Sequence, residues 1–241
     1  MKILAIIPAR GGSKGIKLKN LRKIKGKTLV GHAINCAKLV DLIDNIVVST
    51  DSELIKEEAI CNGIDVPFMR PAGLSGDRVS DLPVLKHALL ESEKYWKKQF
   101  DLVLMLQPTS PLRNHELIFE ACRMMQKEDI DSVWSVSQSD AKYHPLKQLK
   151  ITDKGFLDYF DREGSKIVAR QQLYNLYHRN GAVYGFKRKI IIDEIAIKPA
   201  KTRYILCDTP QISIDTEFDL ELAEFFMNKY QSLFTQRRKN A

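Results

Sequence analysis

Short apolar runs rich in β-branched residues alternate with longer amphipathic segments from Lys2 to Val136, and no other feature restricts the fold as much. Lys2–Ile7, Asn45–Thr50, Val66–Met69, Asp101–Gln107 and Ser132–Val136 read as strands. Thr28–Val40, Ser52–Asn62, Asp81–Lys98 and Asn114–Glu128 read as helices, the first by the helical spacing of Leu29, Ala33, Ile34 and Ala37. Gly63 suits the left-handed position that ends the second helix. A βαβα succession predicts an α/β fold: a Rossmann-like, mostly parallel sheet flanked by helices. The rhythm stops after Val136. Residues 137–185 are more polar and aromatic and read as an inserted arm, with Arg179-Asn180-Gly181 returning the chain to a final strand around Ala182–Phe186. A last helix is expected over Glu217–Leu233 with an apolar stripe of Phe218, Leu222, Phe225 and Phe226, followed by a frayed basic tail, Gln236–Ala241. The 241 residues are read as one domain carrying that arm.

The first run, Ile3–Ile7, breaks at Pro8 into Ala9-Arg10-Gly11-Gly12-Ser13-Lys14-Gly15. A buried strand that empties into a glycine-rich, basic loop suits a polyphosphate, because glycines let backbone N–H groups approach the anion and flanking cations neutralise it. The first 40 residues hold ten lysines and arginines and no acid, while the whole chain carries only +8, so residues 41–241 sum to −2. The basic excess is local and points to one anion site. In open parallel sheets ligands bind beyond the carboxyl ends of the strands. The segments following the strands, Pro8–Gly15, Thr50-Asp51, Arg70-Pro71, Gln107–Pro111 and Val136–Ser139, should therefore share one crevice.

Several classes are disfavoured. The basic residues surround a loop rather than lining one helix face, and no RNA- or DNA-binding signature occurs, so no nucleic-acid partner is expected. No apolar stretch is long enough for a membrane span, and the N-terminal run lacks a signal-peptide pattern. Cys36, Cys61, Cys122 and Cys207 lie far apart without metal-site spacing and read as reduced thiols of a cytoplasmic protein. The loop does not match G-x-x-x-x-G-K-[ST] or G-x-G-x-x-G, which argues against a P-loop ATPase and an NAD dehydrogenase. What remains is a non-Walker triphosphate loop with Arg10, Lys14 and Lys19 as candidate phosphate contacts.

The stretch Ile7–Gly15 followed by Lys19-Asn20-Leu21 resembles the signature of the acylneuraminate cytidylyltransferases, a group of CMP-sugar synthetases. Further blocks agree in order: Val48-Ser49-Thr50-Asp51, Arg70-Pro71-Ala72, Leu106–Arg113, His144-Pro145-Leu146-Lys147, Arg170-Gln171-Gln172-Leu173, Asn180–Tyr184 and Ile214–Asp219. The resemblance implies a nucleotidyltransferase-type fold, a homodimer formed through the arm, and transfer of CMP from CTP to the anomeric hydroxyl of a nine-carbon sugar acid. Pyrophosphate leaves with help from Mg²⁺, for which Mn²⁺ can substitute.

It also implies roles. Arg10, Ser13, Lys14 and Lys19 fall where the triphosphate is held, with Arg10, Lys19 and Asp215 as the catalytic set. Asn20 and Arg70, with Ser80 nearby, fall where the cytidine is held. Gln107, Lys147, Arg170, Arg179 and Tyr184 fall on the sugar-acid site, where an arginine fork suits a carboxylate and Pro108 and Pro111 stiffen the turn that aims Gln107. Taken alone, each cation of the arm reads as a surface charge and Tyr184 as a core aromatic. Asp215 falls on the metal-binding aspartate. By residue type alone, Asp215 or Thr216 would equally serve to cap the last helix.

The chain departs from the family in two places. Many members carry a second aspartate where this chain has Ser213, and members specific for N-acetylneuraminate commonly place two aromatics where it has Ile195-Ala196. The second difference brings in legionaminate as an alternative acceptor. A 3-deoxy-manno-octulosonate cytidylyltransferase is the nearest rival, against which Gln107-Pro108-Thr109-Ser110-Pro111 argues, since that group generally has an acid in this stretch. From a different class, a catalytically inactive nucleotide-binding module would also fit Ser213.

Overall fold

The computed structural model describes residues 1–193 and 195–230. Its strands are β1 (Ile3–Pro8), β2 (Lys23–Ile24), β3 (Lys27–Thr28), β4 (Asn45–Ser49), β5 (Leu102–Met105), β6 (Ser132–Gln138), β7 (Leu149–Ile151), β8 (Leu157–Tyr159), β9 (Tyr177–Lys187) and β10 (Thr202–Leu206). The helices are α1 (Leu29–Lys38), α2 (Glu53–Cys61), α3 (Asp81–Trp96), α4 (His115–Lys127), α5 (Arg188–Ile192) and α6 (Glu217–Lys229). Six strands form the main sheet in the order β10-β6-β9-β5-β1-β4. The pairs β1–β4 and β1–β5 are parallel, as the alternation predicts, β6–β10 is parallel too, and β9 runs antiparallel to both β5 and β6.

Every residue of β1 up to Ile7 is buried, as expected for a strand covered on both faces. Ile3, Ala5 and Ile7 pack with α1, α2 and α4 through Val30, Ile34, Ile55, Ile118 and Cys122. Leu4 and Ile6 point the other way, to Leu85, Ala88 and Leu89 of α3 and Ile190 and Ile191 of α5. That period-2 division of one strand makes the three-layer architecture. Polar caps set the helix starts: Thr28 accepts from the Gly31 N–H, Asn114 from the Leu117 N–H, and Thr216 with Asp219 forms a capping box on α6. Gly63, at φ +68, ends α2.

Four expectations are corrected. Val66–Met69 is irregular rather than a strand: Pro67 has no N–H to give a ladder, and the stretch instead seats Phe68 edge-on against His87 at 5.3 Å. Tyr177–Lys187 is one strand of the main sheet, so Arg179-Asn180-Gly181 lies inside β9 and only the segment before Tyr177 stands outside the sheet. A register shift between Trp134 and Val136 accommodates Gly181, whose φ is +73. The final strand is β10, parallel to β6. On α6 the inward stripe is Leu220, Ala223 and Met227; Phe218 and Phe225 are exposed. The buried stripe packs on Ile16, Ile24, Leu29 and Leu112, with Phe226 partly buried beside it. The expected end of that helix at Leu233 and the basic tail lie outside the described residues.

Candidate functional site

The carboxyl ends of β1, β4 and β5 open on one side of the sheet, and the antiparallel β9 brings its first half to the same side. Two adjoining clefts lie there. The outer one, about 270 Å³, is bordered by Arg10, Ser13, Lys19, Asn20, Arg70, Asp77, Asp81 and Gln107. The inner one, about 180 Å³, is bordered by Asp81, Gln107, Trp134, Arg179, Tyr184 and Ser213.

The loop after β1 is held from several directions. The Gly11 N–H donates to Asp51 Oδ1 at 2.7 Å, and Asn20 Nδ2 donates to the Arg10 carbonyl at 2.9 Å. A side chain at Gly15 would place its Cβ 2.6 Å from the Asp215 carbonyl oxygen, so glycine permits the close approach of loop and α6 entry. Leu18 adopts a left-handed φ of 51 and leads into Lys19, whose Nζ donates to the Ile214 carbonyl at 2.8 Å and meets Asp215 Oδ1 at 2.9 Å. Thr216, not Asp215, caps α6, which leaves the Asp215 carboxylate to Lys19 and to a long 3.3 Å contact from Ser213 Oγ.

Arg70 is buried, donates to the Ser49 hydroxyl at 3.1 Å and to the Ser49 carbonyl, and burial pushes its pKa down to about 10. Arg10 and Lys14 both grip Asp77, at 2.9 and 2.6 Å. The Lys14 hydrogen bond first, and the charges of Lys14 and Arg10 with it, hold the Asp77 carboxyl below the usual carboxylate range. In the free protein a carboxylate therefore sits on the cations expected to meet phosphate.

Gln107 borders both clefts. Around it the buried Arg113 donates to the carbonyls of Gln107, Gly181 and Ala182, tying the turn after β5 to the middle of β9, and burial pushes its pKa down to about 10. Tyr184 is buried, meets Trp134 edge-on at 5.2 Å and accepts the Gly181 N–H through its hydroxyl at 3.0 Å. It is at once a core aromatic and a cleft wall. Arg179 lies over the Trp134 ring at 5.7 Å.

The structure thus gathers Arg10, Ser13, Lys19, Asn20, Arg70, Gln107, Arg179 and Tyr184 at the two clefts. Lys14 joins through Asp77, and Asp215 through Lys19. Ser80 is exposed just before α3 and borders neither cleft. Lys147 is exposed on the arm, and Arg170 borders a separate recess there with His144 and Tyr174. Ile197, rather than Ile195 or Ala196, closes the inner cleft. Asp77, Asp81, Trp134 and Arg113 were not assigned roles from the sequence. Arg113 stood at the end of the block that begins at Leu106, and its position was the available signal; Asp77 and Asp81 carried none. Among the described residues no group of three or more His, Cys, Asp or Glu side chains is placed to hold a metal, and no helix is long and apolar enough to cross a membrane.

A sequence model of a family described as "Cytidylyltransferase" matches residues 4–234. A CMP-N,N'-diacetyllegionaminic acid synthase of Legionella pneumophila is 36% identical over 236 residues, covering 96% of this chain and 98% of that protein. An N-acylneuraminate cytidylyltransferase of Streptococcus agalactiae is 35% identical over 223 residues and 91% of this chain, which spans about half (52%) of that longer protein. Among solved structures, a CMP:2-keto-3-deoxy-manno-octonic acid synthetase complexed with CTP superposes with a TM-score of 0.68 at 18% identity, covering 95% of this chain and 99% of that one, a likeness of fold.

Proposed function

Since the chain belongs to the cytidylyltransferase family, we propose that it transfers CMP from CTP to the anomeric hydroxyl of a nonulosonic acid and releases pyrophosphate. The observation that carries this reading is the pair of joined clefts: a cation-rich outer one on the loop after β1, continuous at Gln107 and Asp81 with an inner one that offers Arg179. Such a layout suits a triphosphate donor beside an anionic acceptor. The full-length similarity to a legionaminate-activating enzyme supports an acceptor of the nonulosonate class.

In this reading Arg10, Ser13, Lys14 and Lys19 hold the triphosphate, and Asn20 and Arg70 hold the cytidine. Gln107, Arg179 and Tyr184 hold the sugar acid. The anomeric oxygen attacks the α-phosphorus, the bond to the bridging oxygen breaks, and the cations stabilise charge on the departing pyrophosphate. Asp215 is the side chain that would hold Mg²⁺. One exposed carboxylate beside a hydroxyl, with phosphate oxygens to complete the set, fits an ion that takes few protein ligands. When bound, the ion would add positive charge at the phosphates.

We further propose a homodimer formed through the arm, in a cytoplasmic protein. The β7–β8 hairpin leaves Ile151, Phe156, Leu157 and Phe160 exposed, an apolar face suited to a second copy. Lys147 and Arg170 would then serve the partner's sugar site. Sedimentation is expected to give twice the chain mass; an active monomer contradicts this.

Pyrophosphate release is expected with CTP plus N-acetylneuraminate or N,N'-diacetyllegionaminate, and not with ATP or without the sugar acid. Release from ATP, or from CTP alone, overturns the reading. Because Asp77 competes for the triphosphate cations, Asp77→Asn is expected to tighten CTP binding, by up to about fivefold for an exposed pair. Titration calorimetry checks this, and unchanged or weaker binding contradicts it.

A further inference from the structure

Asp81, the first residue of α3, has no part in the assignments above, yet it and Gln107 are the two residues that border both clefts. Among the described residues it is also the single carboxylate of the inner cleft. Its side chain accepts no hydrogen bond from any described residue; its neighbours are the charges of Arg179 and Arg70. Burial raises its pKa, the ordinary response of a carboxylate drawn out of water without donors. An acid in the first turn is favoured by the helix dipole, which accounts for an acid here but not for its place between two clefts.

The rest of the inner cleft shows what is in surplus. The Trp134 indole N–H is buried and has no hydrogen-bond partner, and Trp134 is itself only 8% exposed. The Arg179 guanidinium donates no hydrogen bond among the described residues and rests over that ring. Asn180, by contrast, is fully engaged: its Oδ1 accepts from Ser135 Oγ at 2.6 Å and from the Ala182 N–H at 3.1 Å, and its Nδ2 donates to Ser137 Oγ at 3.0 Å. Donors and an acceptor that the protein leaves without hydrogen-bond partners in one cleft complement a molecule that carries both a carboxylate and hydroxyl donors. A sugar acid is such a molecule. Buried polar groups without partners discriminate strongly, because a ligand that fails to satisfy them leaves their desolvation uncompensated.

We propose that Asp81 is a substrate-contacting, specificity-determining residue: its carboxylate accepts a hydrogen bond from a hydroxyl of the acceptor sugar acid where the two clefts meet. The proposal rests on the cytidylyl-transfer reading and deepens it. Gln107, which borders the same two clefts, would contact the acceptor at the same junction, so the pair would set the acceptor's position relative to the α-phosphorus.

The test compares Asp81→Ala and Asp81→Asn with the wild-type protein, using N-acetylneuraminate or N,N'-diacetyllegionaminate, whichever the wild type turns over. Steady-state kinetics give the sugar-acid KM and kcat, calorimetry gives the CTP Kd, and thermal melting checks the fold. For Asp81→Ala the sugar-acid KM is expected to rise about ten- to a hundredfold, the loss of one charge-assisted hydrogen bond, with the CTP Kd within about twofold of wild type. Asp81→Asn keeps an acceptor oxygen and is expected to recover part of that loss, although it removes the same helix-dipole charge. A sugar-acid KM unchanged in Asp81→Ala overturns the proposal, as do a CTP Kd that moves as far as the KM and an asparagine variant no better than alanine. A wild-type protein that releases no pyrophosphate with any sugar acid overturns the functional reading itself, a result distinct from these.

Discussion

Asp215→Ala is expected to lower turnover by about a hundred- to a thousandfold, the scale of losing one preorganised electrostatic contact to the transition state, while the protein stays folded. The two halves of this expectation have separate grounds. Turnover falls because Asp215 is the carboxylate next to Lys19 and the triphosphate loop, and no second acid stands at position 213 to replace it. The fold survives because Thr216 and Asp219, not Asp215, cap α6, and because the helix is anchored by Leu220, Ala223 and Met227. The Lys19–Asp215 pair is largely exposed on the acid's side, so its loss costs no more than about 1 kcal/mol. Pyrophosphate release at saturating Mg²⁺, with a thermal melt beside it, checks both. Near-wild-type kinetics would remove Asp215 from the site.

Arg113→Met is expected to act in the opposite way, on stability first. Arg113 is only 4% exposed and satisfies the carbonyls of Gln107, Gly181 and Ala182. Methionine fills a similar volume but takes the guanidinium from the Gly181 and Ala182 carbonyls, at about 1–3 kcal/mol for each that stays buried, while the Gln107 carbonyl keeps the Ser110 N–H at 3.2 Å. A net loss of about 3–5 kcal/mol is expected, lowering the melting temperature on the order of 10 °C for a chain of this size. Activity should fall as well, since the same bonds join the Gln107 turn to the middle of β9. That junction is tight. A Cβ on Gly181 would lie 2.4 Å from Ser110 Oγ and 2.6 Å from Gln107 Oε1. A melting temperature within about 2 °C of wild type would show that water or a local shift replaces the guanidinium.

The parts of the fold legible in the sequence are those where burial on two faces enforces a continuous apolar run. Ile3–Ile7 and Leu102–Met105 announce themselves in this way, and the caps Thr28, Asn114 and Thr216 mark their helices. β9 hid its first half because Tyr177–Asn180 is polar, and its antiparallel direction follows from tertiary pairing with β5 and β6 rather than from any local signal. β10 was missed because Arg203, Tyr204 and Leu206 are exposed at the sheet's edge and Ile205 is its one buried residue. Val66–Met69 looked like a strand by composition, and Pro67 outweighed it. On α6 Phe226 packs beside the buried stripe while Phe218 and Phe225 are exposed, so the phenylalanines mark the inward face only in part.

The site divides similarly. Arg10 and Gln107 are close to strand ends, where position in sequence translates into position in the crevice; Asn20 is brought there by its bond to the Arg10 carbonyl, and Arg70, after an irregular stretch, by its N–H bond to the Thr50 carbonyl. Asp77 lies within, and Asp81 just after, the mostly irregular stretch 64–80, whose path no spacing rule fixes. Lys147 and Arg170 belong to an arm whose exposed apolar residues imply a surface beyond one chain.

A crystal structure of the protein with CTP bound tests most directly whether the loop after β1 grips the nucleotide. The expected result places triphosphate oxygens within hydrogen-bonding distance of Arg10, Lys14 and Lys19, with Asp77 turned away from those cations. CTP lodged elsewhere, with Asp77 still paired to Arg10 and Lys14, would contradict the assignment of the loop and with it the roles built on it.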